Sequence, residues 1–417
     1  MSQEPHRSAD VRMRGFAARV SVEAAGQWID AHSSLLGPED VPLQNACGRV
    51  LAAPVTAPFD VPSFDRSAMD GYAVRGAETH GAGDYNSLPF RIVGEALPGK
   101  PYPGDVSPGT TVRIMTGAPV PQGADAVVPA EFTREADGLV EITTAIPPFK
   151  NIGRRGEDVR SGTTVLDAGR RLRPQDLGLI ASLGIDQIPV VKSPRIRLMI
   201  TGNELVEPGL PRGPFQIYES NSFMLVGLIS RDGGTLESIL RLPDERDAIR
   251  HALTAVGADV ILVSGGSSVG TEDHAPLLLA EEGTLAIHGV AMRPSSPAGM
   301  GMIGTTLVFL LPGNPVSCLC AYDFFASRAL RRLGGGRGEW PYSVRRVMLD
   351  RKLVSEVGRV DYCRIRIDGN RAEPIAVSGA SILSSTTRAN GFVVVPAESE
   401  GYASGTVVDA FLYDRWI

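Results

Sequence analysis

Between Pro194 and about Leu333, apolar runs of strand length alternate with stretches of helical period. Ile196–Ile200, Leu236–Leu240, Val260–Val263 and Leu307–Leu311 read as strands. Asn221–Ile229, Arg246–Val256, His274–Glu282 and Val316–Leu333 read as helices. Such alternation predicts a parallel sheet with helices on both faces. From about 57 to 149 the rhythm is different. Short apolar segments (Tyr72–Val74, Phe90–Val93, Thr111–Met115, Ala126–Val128, Leu139–Ile142) are punctuated by Pro98-Gly99, Pro103-Gly104 and Pro108-Gly109, which predicts a small β-barrel or sandwich. After Gly334-Gly335-Gly336 the pattern is β-like again, in Val344–Leu349, Asp361–Ile367, Phe392–Val395 and Thr406–Leu412. Near the start, residues 1–18 are polar and read as a mobile tail. Ser21 is placed to cap a helix, Val41-Pro42-Leu43 to lead a second short helix through Leu51, and Leu177–Leu183 to form a third.

Length and composition narrow the class. A chain of 417 residues exceeds one typical domain, and 47 glycines and 31 prolines fit several turn-rich units. A net charge of −6 argues against a dominant nucleic-acid surface. No apolar run is long enough for a membrane span, and the N-terminus has no secretory apolar core, so the chain reads as cytoplasmic. Four scattered cysteines make a disulfide framework a poor fit; Cys318 and Cys320 read as core residues of an apolar helix rather than metal ligands.

The candidate chemistry lies at the strand ends. In an open parallel sheet, ligands bind beyond the carboxyl ends of the strands. Three strands here run into Thr201-Gly202-Asn203-Glu204, Ser264–Gly270, and Pro312-Gly313-Asn314-Pro315. Together these loops offer backbone N–H groups, hydroxyls and the carboxylates Glu204 and Asp273, which suit a phosphorylated ligand with Mg²⁺. The glycines alone would also serve as tight turns. A second cluster, Phe64 to Tyr72, sets two carboxylates and a serine around Asp70-Gly71, which pattern alone reads as a plain hairpin turn. A third, Asn151 to Asp158, pairs arginines with acids and fits either a site or a solvated loop.

These clusters, with RIMTGAPVPQGADAVV (113–128), LPGNPVS (311–317) and ASILSSTTRANGFVVVP (380–396), resemble the MoeA/gephyrin E-domain family, the molybdopterin molybdenumtransferases. The resemblance runs from about Ser21 to the C-terminus. It implies an elongated α/β-plus-β chain in four parts: a discontinuous domain I (19–56 and 150–178), a β insertion (57–149), an α/β molybdopterin-binding domain with a central parallel sheet (179–333) and a C-terminal β-barrel (334–417). It also implies insertion of molybdate into adenylated molybdopterin with Mg²⁺-dependent release of AMP. A molybdopterin-adenylyltransferase would be the upstream donor. The protein would be a homodimer whose cleft lies between the α/β domain of one subunit and the β insertion of the other, with no nucleic-acid or membrane partner. Carried over residue by residue, the family's catalytic positions fall on Asp70, Thr116, Asp158, Glu204 and Asp273, with Asp244 a less secure match. The metal ligands would be Glu204 and Asp273. The ligand would be held by Gly265, Gly266, Ser267, Ser268, Gly270, Arg293, Pro312, Asn314 and Pro315, and molybdate by Arg364 and Ser384.

The chain also departs from that pattern. Where the family reads K-P-G-K-P, it has Arg293-Pro294-Ser295-Ser296-Pro297; another family lysine falls at Gly289 and a family arginine at Gly153. Each lost cation removes a charged hydrogen bond worth on the order of 1.5–3 kcal/mol near an oxyanion. A carrier or dimeric scaffold that binds molybdopterin without transfer, and a general nucleotide-phosphate hydrolase, are the competing expectations.

Overall fold

The computed structural model describes residues 19–266, 273–376 and 378–413. The mobile tail expected at 1–18 lies outside them. The chain divides into two compact units, Met1–Glu39 with Gly48–Val50 and Pro189–Ile417, and Asp40–Cys47 with Leu51–Ile188.

The first unit is built on a six-stranded sheet. Thr235–Leu242, Arg195–Thr201, Val260–Ser264 and Thr306–Leu311 lie side by side in that order, all parallel. Gly299–Ile303 and Thr284–His288 extend the sheet antiparallel, so it is mixed where a parallel one was expected. The central strands are apolar on both sides because helices cover both. On one side Ile196, Leu198, Leu262 and Phe309 meet Ile29 of the helix Val22–His32, Leu225 and Ile229 of Asn221–Arg231, and Leu330. On the other, Met199, Ile261, Val263 and Leu310 meet Ile249, Leu253 and Leu278. Ser21 caps the first helix as expected, its Oγ accepting the Ala24 N–H at 3.1 Å. The long helix expected over Val316–Leu333 is present but not uniform: α-helix Pro315–Ala321, a π-helical turn Tyr322–Ala326, then α-helix Ser327–Leu333.

The C-terminal strands close into a five-stranded barrel. Val360–Asp368 pairs with Arg371–Ala376 on one edge and Gly391–Val395 on the other; Ser343–Leu349 and Val407–Leu412 complete the ring. Val347, Ile365, Val393 and Ala410 fill it.

In the second unit the five expected β segments all form strands. They join one six-stranded sheet with apolar clusters on both faces, around Tyr72, Phe90 and Val128 and around Ala73, Val112 and Val127. No pairing among the described residues closes it into a barrel. The helix expected through Leu51 is absent: Pro38–Pro42 is extended and only Leu43–Asn45 coils, as a 3₁₀ turn. Gly48 adopts φ +78°, a left-handed conformation that breaks the helical path before Leu51. No helix among the described residues is long and apolar enough to cross a membrane.

Candidate functional site

The parallel strands deliver their loops to one edge of the sheet. Thr201, Ser264 and Leu311 end adjacent strands, and the loops beyond them wall a cavity of about 700 Å³. Glu204, Gly265, Gly266, Asp273, Pro312, Asn314 and Pro315, all expected at the site, line it. Ser267, Ser268 and Gly270 lie outside the described residues. The floor and far wall come from Ile217 to Asn221, and Ser381 and Leu383 add a rim from the C-terminal domain.

Gly265 explains why this turn needs glycine. Its φ is +98°, and a Cβ there would sit 2.2 Å from the Thr201 carbonyl oxygen, a backbone atom that cannot yield without moving the neighbouring strand. Gly265→Ala is therefore expected to destabilise by at least about 1 kcal/mol and to lower ligand affinity with it. A melting curve beside a ligand titration checks both.

Four carboxylates reach the cavity: Glu204, Glu219, Asp244 and Asp273. Asp244 and Asp273 face the same turn, since a Cβ on Gly266 would lie 3.9 Å from Asp244 Oδ1 and 4.0 Å from Asp273 Oδ1. Asp244 is braced by Asn203, whose N–H donates to Asp244 Oδ2 at 3.1 Å while Asn203 Oδ1 accepts the Asp244 N–H at 3.2 Å. Glu204 is exposed. No lysine, arginine or histidine is among the described residues that line the cavity. A phosphate-bearing ligand would meet only like charge here unless a cation enters with it. No three metal-ligating side chains cluster among the described residues. The donor set therefore fits a hard cation held by one or two carboxylates and completed by phosphate oxygens and water, which is the habit of Mg²⁺.

Arg364 occupies a different environment. It lies in the barrel strand Val360–Asp368 and is fully buried. One terminal nitrogen donates to the Ser378 carbonyl; Nε and Nη1 have no partner among the described residues. A buried guanidinium with two unpaired donors is costly and fits a site completed by an oxyanion. The segment after Ser378 leads to the cavity, because the Ala380 carbonyl accepts the Val316 N–H at 2.9 Å and Ser381 lies on the rim. Ser384 begins the short helix Ser384–Arg388 and is exposed.

Arg293 is placed otherwise than its expected role required. Its guanidinium pairs with the fully buried Asp361, Nε donating to Oδ1 at 3.1 Å. Ser355 donates to the same carboxylate at 2.8 Å. Ser296 Oγ is shielded from water and has no partner. Gly289 adopts φ +96°, so a lysine there would carry backbone strain as well as charge. Gly153 is packed so that a Cβ would lie 2.6 Å from Glu157 Oε1.

In the second unit Asp70 and Thr116 form one group. Asp70 Oδ1 accepts the Thr116 N–H and its hydroxyl, each at 2.7 Å. The Thr116 N–H, followed by its hydroxyl, holds the Asp70 carboxyl below its ordinary range. The Asp70–Gly71 turn leads into the strand Gly71–Val74, but it is not the plain hairpin turn expected: the preceding strand Arg66–Ser67 pairs with Ile152–Gly153, and Gly71–Val74 pairs with Thr110–Ile114 and Ala126–Pro129. In the third cluster Arg155 is engaged locally, its N–H by Asp65 at 2.7 Å and its Nε by Asp60 at 2.6 Å. Asp158 is exposed, and its N–H donates to the Val61 carbonyl at 3.1 Å.

Glu219 and Asn221 were missed by sequence reasoning. Their signal was an acid three residues before Ser222 at a helix start, the spacing of an N-terminal cap. Cys318 and Cys320 are buried, as the core expectation required, and burial pushes the Cys318 thiol up to about 12.

Strand ends, a glycine turn and an acid-lined cavity make an α/β domain of the kind that holds a ligand at the carboxyl edge of its sheet. Three family models cover most of the chain: the MoeA N-terminal region (domain I and II) at 20–184, a probable molybdopterin binding domain at 197–332, and the MoeA C-terminal region (domain IV) at 346–413. The chain is 37% identical over 381 residues to molybdopterin molybdenumtransferase 2 of Mycobacterium tuberculosis, covering 88% of this chain and 93% of that one. It is 33% identical over 378 residues to molybdopterin molybdenumtransferase of Haemophilus influenzae, covering 88% and 91%. A crystal structure of the molybdopterin biosynthesis MoeA protein from Pyrococcus horikoshii superposes with a TM-score of 0.78 at 32% identity, over 95% of this chain and all of that one. The chain belongs to the MoeA family of molybdopterin molybdenumtransferases.

Proposed function

We propose that this chain inserts molybdate into adenylated molybdopterin and releases AMP, with Mg²⁺ at the acid-lined end of the cavity. The observation that carries this is Arg364: a fully buried guanidinium with unpaired Nε and Nη1, on a segment leading to a cavity whose described lining is acidic and free of basic residues. One place suits a bare oxyanion, and the other suits a phosphate that arrives with a cation. Glu204 and Asp273 would hold that cation, which neutralises phosphate oxygens when bound. The Gly265–Gly266 turn lets the ligand approach the backbone closely. Arg364, with Ser384 nearby in sequence on the same domain, receives molybdate. The two dithiolene thiols bind molybdenum as their protons leave with one molybdate oxygen as water, with no change of oxidation state, and a water adds across the phosphoanhydride to free AMP and leave molybdopterin its phosphate.

The protein acts as a homodimer in the cytoplasm, with the four-part division expected from sequence, and takes its substrate from a molybdopterin-adenylyltransferase. Asp70, Thr116 and Asp158 are assigned to the partner subunit's cleft. Support for a dimer comes from the exposed apolar side chains Leu210, Phe215, Ile217, Tyr218 and Phe223, of which Phe215 is 95% exposed. Exposed apolar side chains gathered within one short stretch, 210–223, are what an association surface would cover.

A second function, carriage of molybdopterin without transfer, is favoured by Arg293, whose guanidinium is held by Asp361, a carboxylate it shares with Arg359. One titration separates the two. Purified protein with adenylated molybdopterin, Mg²⁺ and increasing molybdate is expected to release AMP in proportion to metal inserted. Tight pterin binding with no AMP at any molybdate concentration overturns the transferase and leaves the carrier. Ser296→Lys replaces an unpaired buried hydroxyl with a cation next to Pro297 of the cavity lining and is expected to lower the half-saturating molybdate concentration about tenfold.

A further inference from the structure

One wall of the cavity has a hydrogen-bonding pattern that neither the cation nor the phosphate uses. Asn221 is 8% exposed and opens the helix Asn221–Arg231. Its Nδ2 donates to Ser264 Oγ at 2.9 Å and to the Gly313 carbonyl at 2.8 Å, so it ties together the ends of two strands. Among the described residues its Oδ1, which is buried, has no partner, and the same holds for the hydroxyl of Thr201, a residue 3% exposed. Both residues line the cavity. The amide cannot be turned round: its carbonyl would then face the Gly313 carbonyl.

An unpaired buried acceptor is unfavourable until a donor reaches it. That donor does not come from a phosphate, which at neutral pH mainly accepts. Nor does the helix start supply an anion site. The carboxylate of Glu219, 3% exposed, already covers it: Ser222 N–H donates to Oε1 at 2.7 Å and Ser222 Oγ to Oε2. The wall therefore suits a neutral ring with N–H groups. Adenine offers one amino group between two ring acceptors. The pyrimidinone edge of a pterin sets a ring N–H beside an amino group, which matches a wall carrying two unpaired oxygens.

We propose that Asn221 reads the donor edge of the pterin ring of molybdopterin, its Oδ1 accepting a ring N–H, with the Thr201 hydroxyl, against the Gly265–Gly266 turn, lining the same cavity. The inference rests on the function proposed above and orients the ligand: ring toward Asn221, phosphate toward Asp244 and Asp273. Asn221 is a specificity-determining residue and takes no part in bond making.

Ligand-observed NMR titration of the full chain with 6-hydroxymethylpterin and its 3-methyl analogue tests it, with adenosine as the competing ring. The wild-type protein is expected to bind the parent pterin about tenfold tighter than the methylated one, and Asn221→Ala is expected to erase that ratio. A merely structural role would weaken both pterins equally and leave the ratio intact. Equal binding by the wild type, a ratio that survives in Asn221→Ala, or a preference for adenosine that Asn221→Ala abolishes each overturns the proposal. If Asn221→Ala does not fold, Thr201→Val, which removes an unpaired hydroxyl, takes its place and is expected to weaken the parent pterin more than the methylated one; equal weakening counts against the wall. AMP release by the same wild-type preparation keeps the two proposals apart. AMP without discrimination between pterins removes only this one, and absence of AMP removes the transferase reading.

Discussion

The Glu204→Gln, Asp273→Asn double variant is expected to fold normally and to release AMP at least about a hundredfold more slowly than the parent protein. The reason is the charge in the cavity. Four carboxylates and no basic side chain are among its described lining residues, yet the proposed ligand is itself an anion. Only a cation reconciles the two, and these two acids are the ones assigned to it. Removing one stabilising group at developing charge typically costs a factor of about 10²–10³, and here both protein ligands are changed. Glu204→Gln alone is expected to do less, because Glu204 is exposed and water can take its place in a Mg²⁺ shell. Raising Mg²⁺ into the tens-of-millimolar range, roughly a tenfold excess over ordinary assay conditions, is expected to recover part of the single variant's rate and little of the double variant's. The check is AMP release at saturating molybdate. A double variant that keeps the parent rate removes the cation from this end of the cavity.

The site was legible in sequence where it depends on the loop that a strand runs into. Val260–Val263 and Leu307–Leu311 announce themselves as buried runs, and the loops after them had to share an edge once the strands were parallel. The antiparallel extension was not legible. Gly299-Met300-Gly301-Met302 carries two glycines within a strand, and glycine is required at 301 because a Cβ would lie 2.0 Å from the Thr284 carbonyl oxygen of the paired strand. Side-chain pairing was equally hidden. Nothing near Arg293 in sequence marks Asp361, 68 residues away, as its partner. The same holds for Asn221, whose contacts are 43 and 92 residues distant. Periodicity tells which face of an element is buried, but a buried polar group is explained only by the atoms opposite it, and the fold chooses those.

The largest stability effect is expected away from the cavity, at Asp232. This residue lies just past the helix Asn221–Arg231, and its side chain is wholly buried. Arg331 donates to Oδ1 at 2.7 Å; Arg231 and Tyr322 reach Oδ2 at 2.7 and 3.1 Å. Arg231 also donates to the buried Asp323 at 2.8 Å, whose other oxygen accepts from Tyr342 at 2.8 Å. Two acids and two arginines thus form one neutral cluster around the π-helical turn, and Trp340 Nε1 is fixed to the Asp323 carbonyl at 2.8 Å. Asp232→Ala leaves Arg331, 6% exposed, with only a 3.3 Å bond to the Gly338 carbonyl. An uncompensated buried charge of this kind costs about 3–5 kcal/mol. Urea unfolding followed by tryptophan fluorescence is expected to show that loss in the transition that reports on Trp340. Adding Arg331→Met should recover most of it, since replacing a buried pair with apolar groups of similar volume is often neutral or stabilising. If the single variant loses less than about 1 kcal/mol, as a surface pair would, the cluster does not hold the sheet domain to the segment that leads into the barrel. If the double variant is no better than the single, packing around the Asp232 carboxylate matters more than the unpaired charge of Arg331.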